Sequence, residues 1–357
     1  MIHVFLGTKA QYIKTAPLLR LMDQRGVPYR LIDSGQHGAL SVGLREELGV
    51  RPPDHVLAEG VDITRIPQAL WWAAKLALRL FDGARLRREV FGGRRGVCVV
   101  HGDTPSTLLS ALMARRAGLQ VAHLEAGLRS GHLLHPFPEE LIRVVVMRLA
   151  HVLFTPDDAA VANLARMRLG GRVVPLPGNT VAEALHHELD GAAEQAPGPV
   201  IVTLHRVENL NRRERVEQLV STVERIAEDH QVTFVQHGPT IDTLRRRGLG
   251  ERLDAAGVTM RPLAPHGEFV TMLRNAPFVI TDGGSIQEEC ALLGTPTLLW
   301  RAATERQDGV GENVVVSGYE PAVIERFLAQ PQAHRGRPVT SRQSPSAVAL
   351  DHLLALR

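Results

Sequence analysis

The feature that most constrains this chain is a repeated alternation of short apolar runs with helical segments. "IHVFLG", "YRLIDSG", "GVCVVHGD", "QVAHLEAG" and "HVLFTP" read as strands, separated by helical stretches such as "IKTAPLLRLMDQRG", "PSTLLSALMARRAG" and "PEELIRVVVMRLA". After a break near "RVVPLPGNTVAEAL" and the polar loop "GAAEQAPGP", the alternation restarts with "PVIVTLH", "QVTFVQHG", "VTMRPL", "PFVITDGG" and "TPTLLW", with helices over 211–229, 239–248, 267–275 and 286–293 between them. Short apolar strands alternating with helices imply βαβ units and parallel sheets. The 357 residues accommodate two such units. The expectation is an α/β protein of two Rossmann-like domains, over 1–176 and 177–343, with parallel sheets facing a cleft. A last helix, 344–357, packs back near the domain junction. Residues 67–91 read as one amphipathic, basic helix, packed or resting on a membrane surface.

Charged residues are 22% and formal net charge is +3. The basic residues are scattered and aromatics are only 4%, so a nucleic-acid face is not expected. No stretch approaches about 18 consecutive apolar residues, and "MIHVFLGTKAQ" is not a signal sequence, so a cytoplasmic protein without membrane insertion is expected. Cys98 and Cys290 lie in apolar runs, read as buried free thiols, and no metal-ligand spacing is present.

In open α/β sheets ligands sit beyond the carboxyl ends of strands. Those positions hold "GTKAQ", "SGQH", "HGDT" and "EAGLRS" in the first half, and "HRVEN", "QHGPT", "TDGGS" and "RAATERQD" in the second. In "TDGGSIQEEC", Gly283, Gly284 and Ser285 bring free N–H groups to a helix start, an anion site most often used for phosphate. Glu289, one turn on, suits sugar hydroxyls. A phosphate beside a sugar points to a nucleotide; a plain glycine turn with a helix cap is the structural alternative. Lys9 in "GTKAQ" is a second phosphate partner or a solvated turn lysine. Arg306 in "TERQD", beside Glu305, suits a diphosphate. Neither glycine loop matches GxGxxG or GxxxxGK[ST], which argues against a nicotinamide enzyme or an NTPase.

Asp103, Glu125 and Glu139, with Glu140 beside it, stand at the ends of buried strands or at a helix start. Carboxylates desolvated together suit proton transfer. Each also has a structural reading: Asp103 caps its helix, Glu125 pairs with Arg129, Glu139 caps its own helix. His205 in "TLHRVEN", followed by Arg206, Glu208 and Asn209, is favoured over His37, His101, His123 and His237 as a functional histidine.

"GTKAQYIKTAPLL", "SGQH", "HGDTPST", "HLEAGLRS", "PFPEELIR", "GNTV", "HRVEN", "TDGGSIQEE" and "ATERQD", in that order over residues 2–318, resemble the non-hydrolysing UDP-N-acetylglucosamine 2-epimerases. The resemblance implies a GT-B type fold and a UDP-sugar substrate. It implies loss of UDP from C1 as a base removes the C2 proton, a 2-acetamidoglucal intermediate, and re-addition with C2 inverted. It places Asp103, Glu125, Glu139 and His205 as catalytic groups. Lys9, Arg129, Arg206, His237, Phe269, Gly283, Gly284, Ser285, Glu289 and Arg306 are placed on the UDP-sugar. It implies no metal, no cofactor, domain closure on UDP and a homodimer. The departures are "GTKAQ" for "GTRPE", "DGGS" for "DSGG", "TERQD" for "TERPE", "GAL" after "GQH", and Ile142 for asparagine. "KAQY" is similar to the "RAEY" of hydrolysing relatives, which release free N-acetylmannosamine. That enzyme, a GT-B glycosyltransferase and an inactive nucleotide-sugar binder are the alternatives.

Overall fold

The computed structural model describes residues 1–35, 38–58, 78–131, 138–189, 196–304, 306–339 and 343–356. The chain divides into two compact units, Met1–Ala184 with Ser341–Arg357, and Leu185–Thr340. Each is built on one parallel sheet.

The first unit carries β1 (Ile2–Leu6), β2 (Tyr29–Asp33), β3 (His55–Val56), β4 (Val97–His101), β5 (Gln120–Leu124), β6 (Val152–Thr155) and β7 (Arg172–Pro175), in spatial order β3-β2-β1-β4-β5-β6-β7. The second carries β8 (Val200–Thr203), β9 (Val232–Gln236), β10 (Thr259–Pro262), β11 (Val279–Thr281), β12 (Thr297–Leu299) and β13 (Val314–Val316), in order β10-β9-β8-β11-β12-β13. The order reverses between β1 and β4 in one sheet and between β8 and β11 in the other. Such reversals open a crevice at the carboxyl ends of the flanking strands.

Strand pleating explains why these runs are apolar throughout. In β1, Ile2, Val4 and Leu6 join one core cluster and Phe5 the other. In β8, Val200 and Val202 face one cluster and Ile201 the other. Both faces are covered by helices, so both side-chain sets must be apolar. Each fully buried Leu, Ile or Phe contributes roughly 1.5–3 kcal/mol. Trp300, Phe154 and Phe234 are among the largest side chains so buried.

The helix over Pro345–Leu354 packs in the first unit against Lys9–Gln24. Its N-terminus is held by Glu183, whose carboxylate accepts from the Ser346 backbone at 3.0 Å and from the Ser344 and Ser346 hydroxyls. The sequence expectation of one helix over 67–91 lies partly outside the described residues. Where described, it is corrected: Leu78–Phe81 is a single 3-10 turn, and Asp82 then caps a separate helix, Gly83–Glu89. Strands β3, β7 and β13 were not expected; each is an edge strand of four residues or fewer. Cys98 and Cys290 are buried free thiols.

Candidate functional site

In the first unit the crevice is floored by the turns after β1, β4 and β5. Thr8 caps the helix Lys9–Gln24 in a capping box with Gln11. Gln11 is 3% exposed and does more than cap. Its Oε1 accepts from Gly7 N at 2.7 Å and Thr8 N at 3.1 Å, while Nε2 donates to His101 O at 2.8 Å and reaches the Thr104 and Thr107 hydroxyls at 3.0 and 2.8 Å. One amide thus ties the β1 turn to the β4 turn. A glutamate there has no proton to give His101 O. Lys9, at the first helical position, is exposed.

Glu125 follows β5 in a left-handed backbone conformation, φ 61°, which L residues seldom adopt. That turn directs its buried carboxylate inward. Lys14 Nζ lies 2.5 Å from Oε1, Asn179 Nδ2 donates to the same oxygen at 3.1 Å, and His101 Nδ1 stands 3.7 Å from Oε2. The Lys14–Glu125 pair replaces the expected Glu125–Arg129 pair. Arg129 instead bonds Glu140, which has no exposure. Arg143 forks between Glu140, at 2.8 Å, and Asp103. Asp103 is not a helix cap: Thr104 fills that role, accepting from Thr107 N. Nor does Glu139 cap its helix, since Pro138 holds the cap position without a side-chain bond. The Glu139 Oε2 atom is buried and has no hydrogen-bond partner among the described residues. His123 Nε2 donates to Gly102 O, 2.7 Å away, and burial lowers its pKa to about 4, so it is neutral near pH 7.

The crevice of the second unit is built around Asp282, which has no exposure. Its Oδ1 accepts from His205 N at 3.0 Å, and its Oδ2 from Arg206 N and Asn209 Nδ2, both at 2.9 Å. His205 stacks on His237 with ring centroids 4.6 Å apart. Its pKa is lowered, chiefly by burial, against the opposing pull of Asp282. Gly283 is the N-cap of the helix Gly284–Leu293. A Cβ at Gly283 would lie 2.8 Å from His205 Cε1; one at Gly284 would lie 3.3 Å from Arg306 Nε and 3.7 Å from Arg206 Nη2. Two guanidiniums therefore flank the start of a ten-residue helix at a residue without a side chain, a cradle suited to an anion. Arg306 is oriented by buried Glu288, 2.9 Å from its Nη1. Arg206 meets Glu208 at 3.1 Å, which holds the Glu208 pKa below its ordinary value against burial.

Ser285 is exposed in the first turn. Glu289 is buried, with His266 Nε2 at 3.2 Å from Oε1. Phe269 packs in the core cluster with Val270 and Ile286. Glu305 and His37 lie outside the described residues. The sequence reading overlooked Lys14, Asn179, Asp282 and Arg143. Signals were present: a lysine inside "IKTAPLL", an asparagine in "GNTV", and an aspartate closing the apolar strand before "GGS".

Two parallel α/β units, one with a carboxylate cluster and one with an anion cradle at their switch points, define a nucleotide-sugar protein of GT-B-like fold. The family model described as UDP-N-acetylglucosamine 2-epimerase matches residues 20–345. A UDP-N-acetylglucosamine 2-epimerase of Bacillus subtilis is 30% identical over 318 residues, covering 85% of this chain and 79% of that one. That of Methanocaldococcus jannaschii is 28% identical over 344 residues, covering 91% and 90%. The crystal structure of the Methanocaldococcus jannaschii UDP-GlcNAc 2-epimerase in complex with UDP-GlcNAc and UDP superposes with a TM-score of 0.82 at 25% identity, covering 99% of both chains. The chain belongs to the UDP-N-acetylglucosamine 2-epimerase family.

Proposed function

We propose that this protein interconverts UDP-GlcNAc and UDP-ManNAc, or a modified UDP-HexNAc, without net hydrolysis. The observation that carries this reading is the cradle at Gly284, where a helix N-terminus and the side chains of Arg206 and Arg306 converge. It suits a diphosphate, and the solved relative named above binds UDP-GlcNAc and UDP.

In the reading, the second unit holds UDP and the carboxylates of the first serve the sugar. A base takes the proton from C2, the C2–H electron pair forms the C1–C2 double bond, and the C1–O bond breaks toward UDP. The resulting 2-acetamidoglucal is protonated at C2 on the other face as UDP returns to C1. Glu139 suits the base role, because one buried oxygen has no partner among the described residues. Glu125, held by Lys14 and Asn179, and Asp103, held by Arg143, supply the remaining acid–base capacity. The arginines and the helix N-terminus stabilise charge developing on the leaving diphosphate. His205 serves as a diphosphate contact or proton-transfer partner.

Proton NMR of UDP-GlcNAc with the enzyme in deuterated water tests this. Deuterium at C2 with growing UDP-ManNAc signals is the expected result; C2 that stays protonated refutes it. Asp103→Asn, Glu125→Gln and Glu139→Gln should each cost at least about 100-fold in turnover, and near-normal rates in all three refute the assignment. The run Lys9-Ala10-Gln11-Tyr12 favours a second reading, a hydrolysing epimerase. Free UDP accumulating in step with free N-acetylmannosamine would select it.

A further inference from the structure

Three non-glycine residues have left-handed backbone among the described residues. Arg168 caps a helix C-terminus, and Glu125 belongs to the carboxylate cluster. The third, Tyr319 at φ 62°, does neither. It stands ahead of the helix Pro321–Ala329, whose N-cap is Glu320. Glycine adopts this conformation freely and tyrosine does not, so the surroundings must hold it. Gln218 Nε2 donates to its carbonyl at 3.0 Å, Arg215 lies over its ring 4.1 Å from the centroid, and Trp300 meets it edge-on.

The held conformation delivers one hydroxyl. Tyr319 OH donates to Asn209 Oδ1 at 2.7 Å. The Asn209 Nδ2 donates to Asp282 Oδ2 at 2.9 Å and to Trp300 O at 3.0 Å. Both Nδ2 neighbours are acceptors only, so the amide has one orientation, and Oδ1 is left for the tyrosine. Asn209 and Asp282 have no exposure. Asp282 in turn receives the backbone N–H groups of His205 and Arg206, and its Oδ1 lies 3.2 Å from His205 Nδ1, out of line for a hydrogen bond.

We propose that Tyr319 is a positioning residue for the β8 turn, acting on His205 and Arg206 through Asn209 and Asp282. The proposal rests on the reading of that turn as the diphosphate end of the active site. Without the hydroxyl, the buried Asn209 Oδ1 loses its donor, and the amide that donates to Asp282 is held from one side only. Asp282, Arg206, Glu208 and Arg301 are the charged groups acting on His205, and His237 covers its ring. Reorienting Asp282 is therefore felt at the imidazole.

The test is Tyr319→Phe in the full chain, read by NMR titration of the His205 ring, assigned with His205→Gln, and by kinetics with UDP-GlcNAc. The expected result is a displaced His205 titration midpoint and turnover down about 10-fold, the scale of one lost hydrogen bond. In an Asp282→Asn background the same substitution should add nothing. An unchanged His205 titration with unchanged turnover, or a loss additive with Asp282→Asn, overturns the proposal. Where Asp282→Asn does not fold, the Tyr319→Phe titration decides alone. A wild-type chain inert toward UDP-GlcNAc sinks the functional reading, while the His205 titration still judges the positioning.

Discussion

At the scale of single residues, neighbours in sequence have opposite duties. Glu139 and Glu140 open the same helix. Glu140 is fully buried and bonds Arg129 and Arg143, whereas Glu139 keeps a buried oxygen with no partner among the described residues. Replacing Glu140 with glutamine takes the carboxylate from Arg129 and leaves Arg143 with Asp103 alone, a defect in a buried network costing about 3–5 kcal/mol. Glu139→Gln removes no such partner. We predict that Glu140→Gln lowers the thermal midpoint by several degrees, while Glu139→Gln leaves it within a degree or so and removes turnover. Calorimetric scans beside turnover assays on both variants check this; equal melting losses would refute it. The sequence marks both glutamates as candidates, since acids after a proline at a helix start stand out. It does not show which one turns inward, because that depends on Arg129 reaching in from another loop and on Arg143 one turn along the same helix. Gln11 has a similar history. Beside the family pattern it looks like a lost carboxylate, yet its amide bonds the turns after β1 and β4.

At the scale of elements, legibility follows length and burial. Strands β1, β4, β5, β8, β9 and β11 sit inside the sheets and read as apolar runs. The edge strand β3 has two residues, and no helix among the described residues separates β12 from β13, Val314–Val316, to announce a strand. A short edge strand buries too little to leave a pattern. The strand-to-helix junction at Gly283–Gly284 was legible, because glycines there are otherwise unfavourable. Neither has positive φ, so their purpose is space rather than backbone freedom. This makes a clean dissociation available. Alanine is a better helix former than glycine by about 1 kcal/mol, and Gly284 is the first helical residue. A methyl at that point nevertheless lies 3.3 Å from Arg306 Nε and 3.7 Å from Arg206 Nη2, filling the cradle. We predict that Gly284→Ala keeps or slightly raises the melting temperature while weakening UDP at least about 10-fold. Titration calorimetry with UDP beside a thermal scan tests it; unchanged affinity would remove the anion from this helix start.

At the scale of the whole molecule, the two units solve one topological problem twice, and each places its polar residues at a strand-order reversal. Burying polar groups inside sheets has a consequence for acid stability. His3 in β1 and His123 in β5 have no exposure, and burial lowers the pKa of each from 6.5 to about 4. For His3 the chain's own amino terminus and Arg30 act in the same direction, and its ring stands edge-on to Phe91 at 5.3 Å. A histidine with a depressed folded pKa is neutral when folded and protonated when unfolded between those two values. The unfolded state then binds more protons, so stability is full above pH 6.5 and declines as pH falls toward 4. At pH 5 the loss is about 2 kcal/mol per histidine. We therefore predict that the urea midpoint drops between pH 7 and pH 5, and that His3→Leu removes the His3 share of that dependence, about 2 kcal/mol at pH 5. Because Leu carries no titrating proton, its effect on the slope is separable from any change in stability at pH 7. Urea titrations of both proteins at the two pH values decide it; parallel slopes would show that the His3 imidazole gains a proton in the folded state as readily as in the unfolded one.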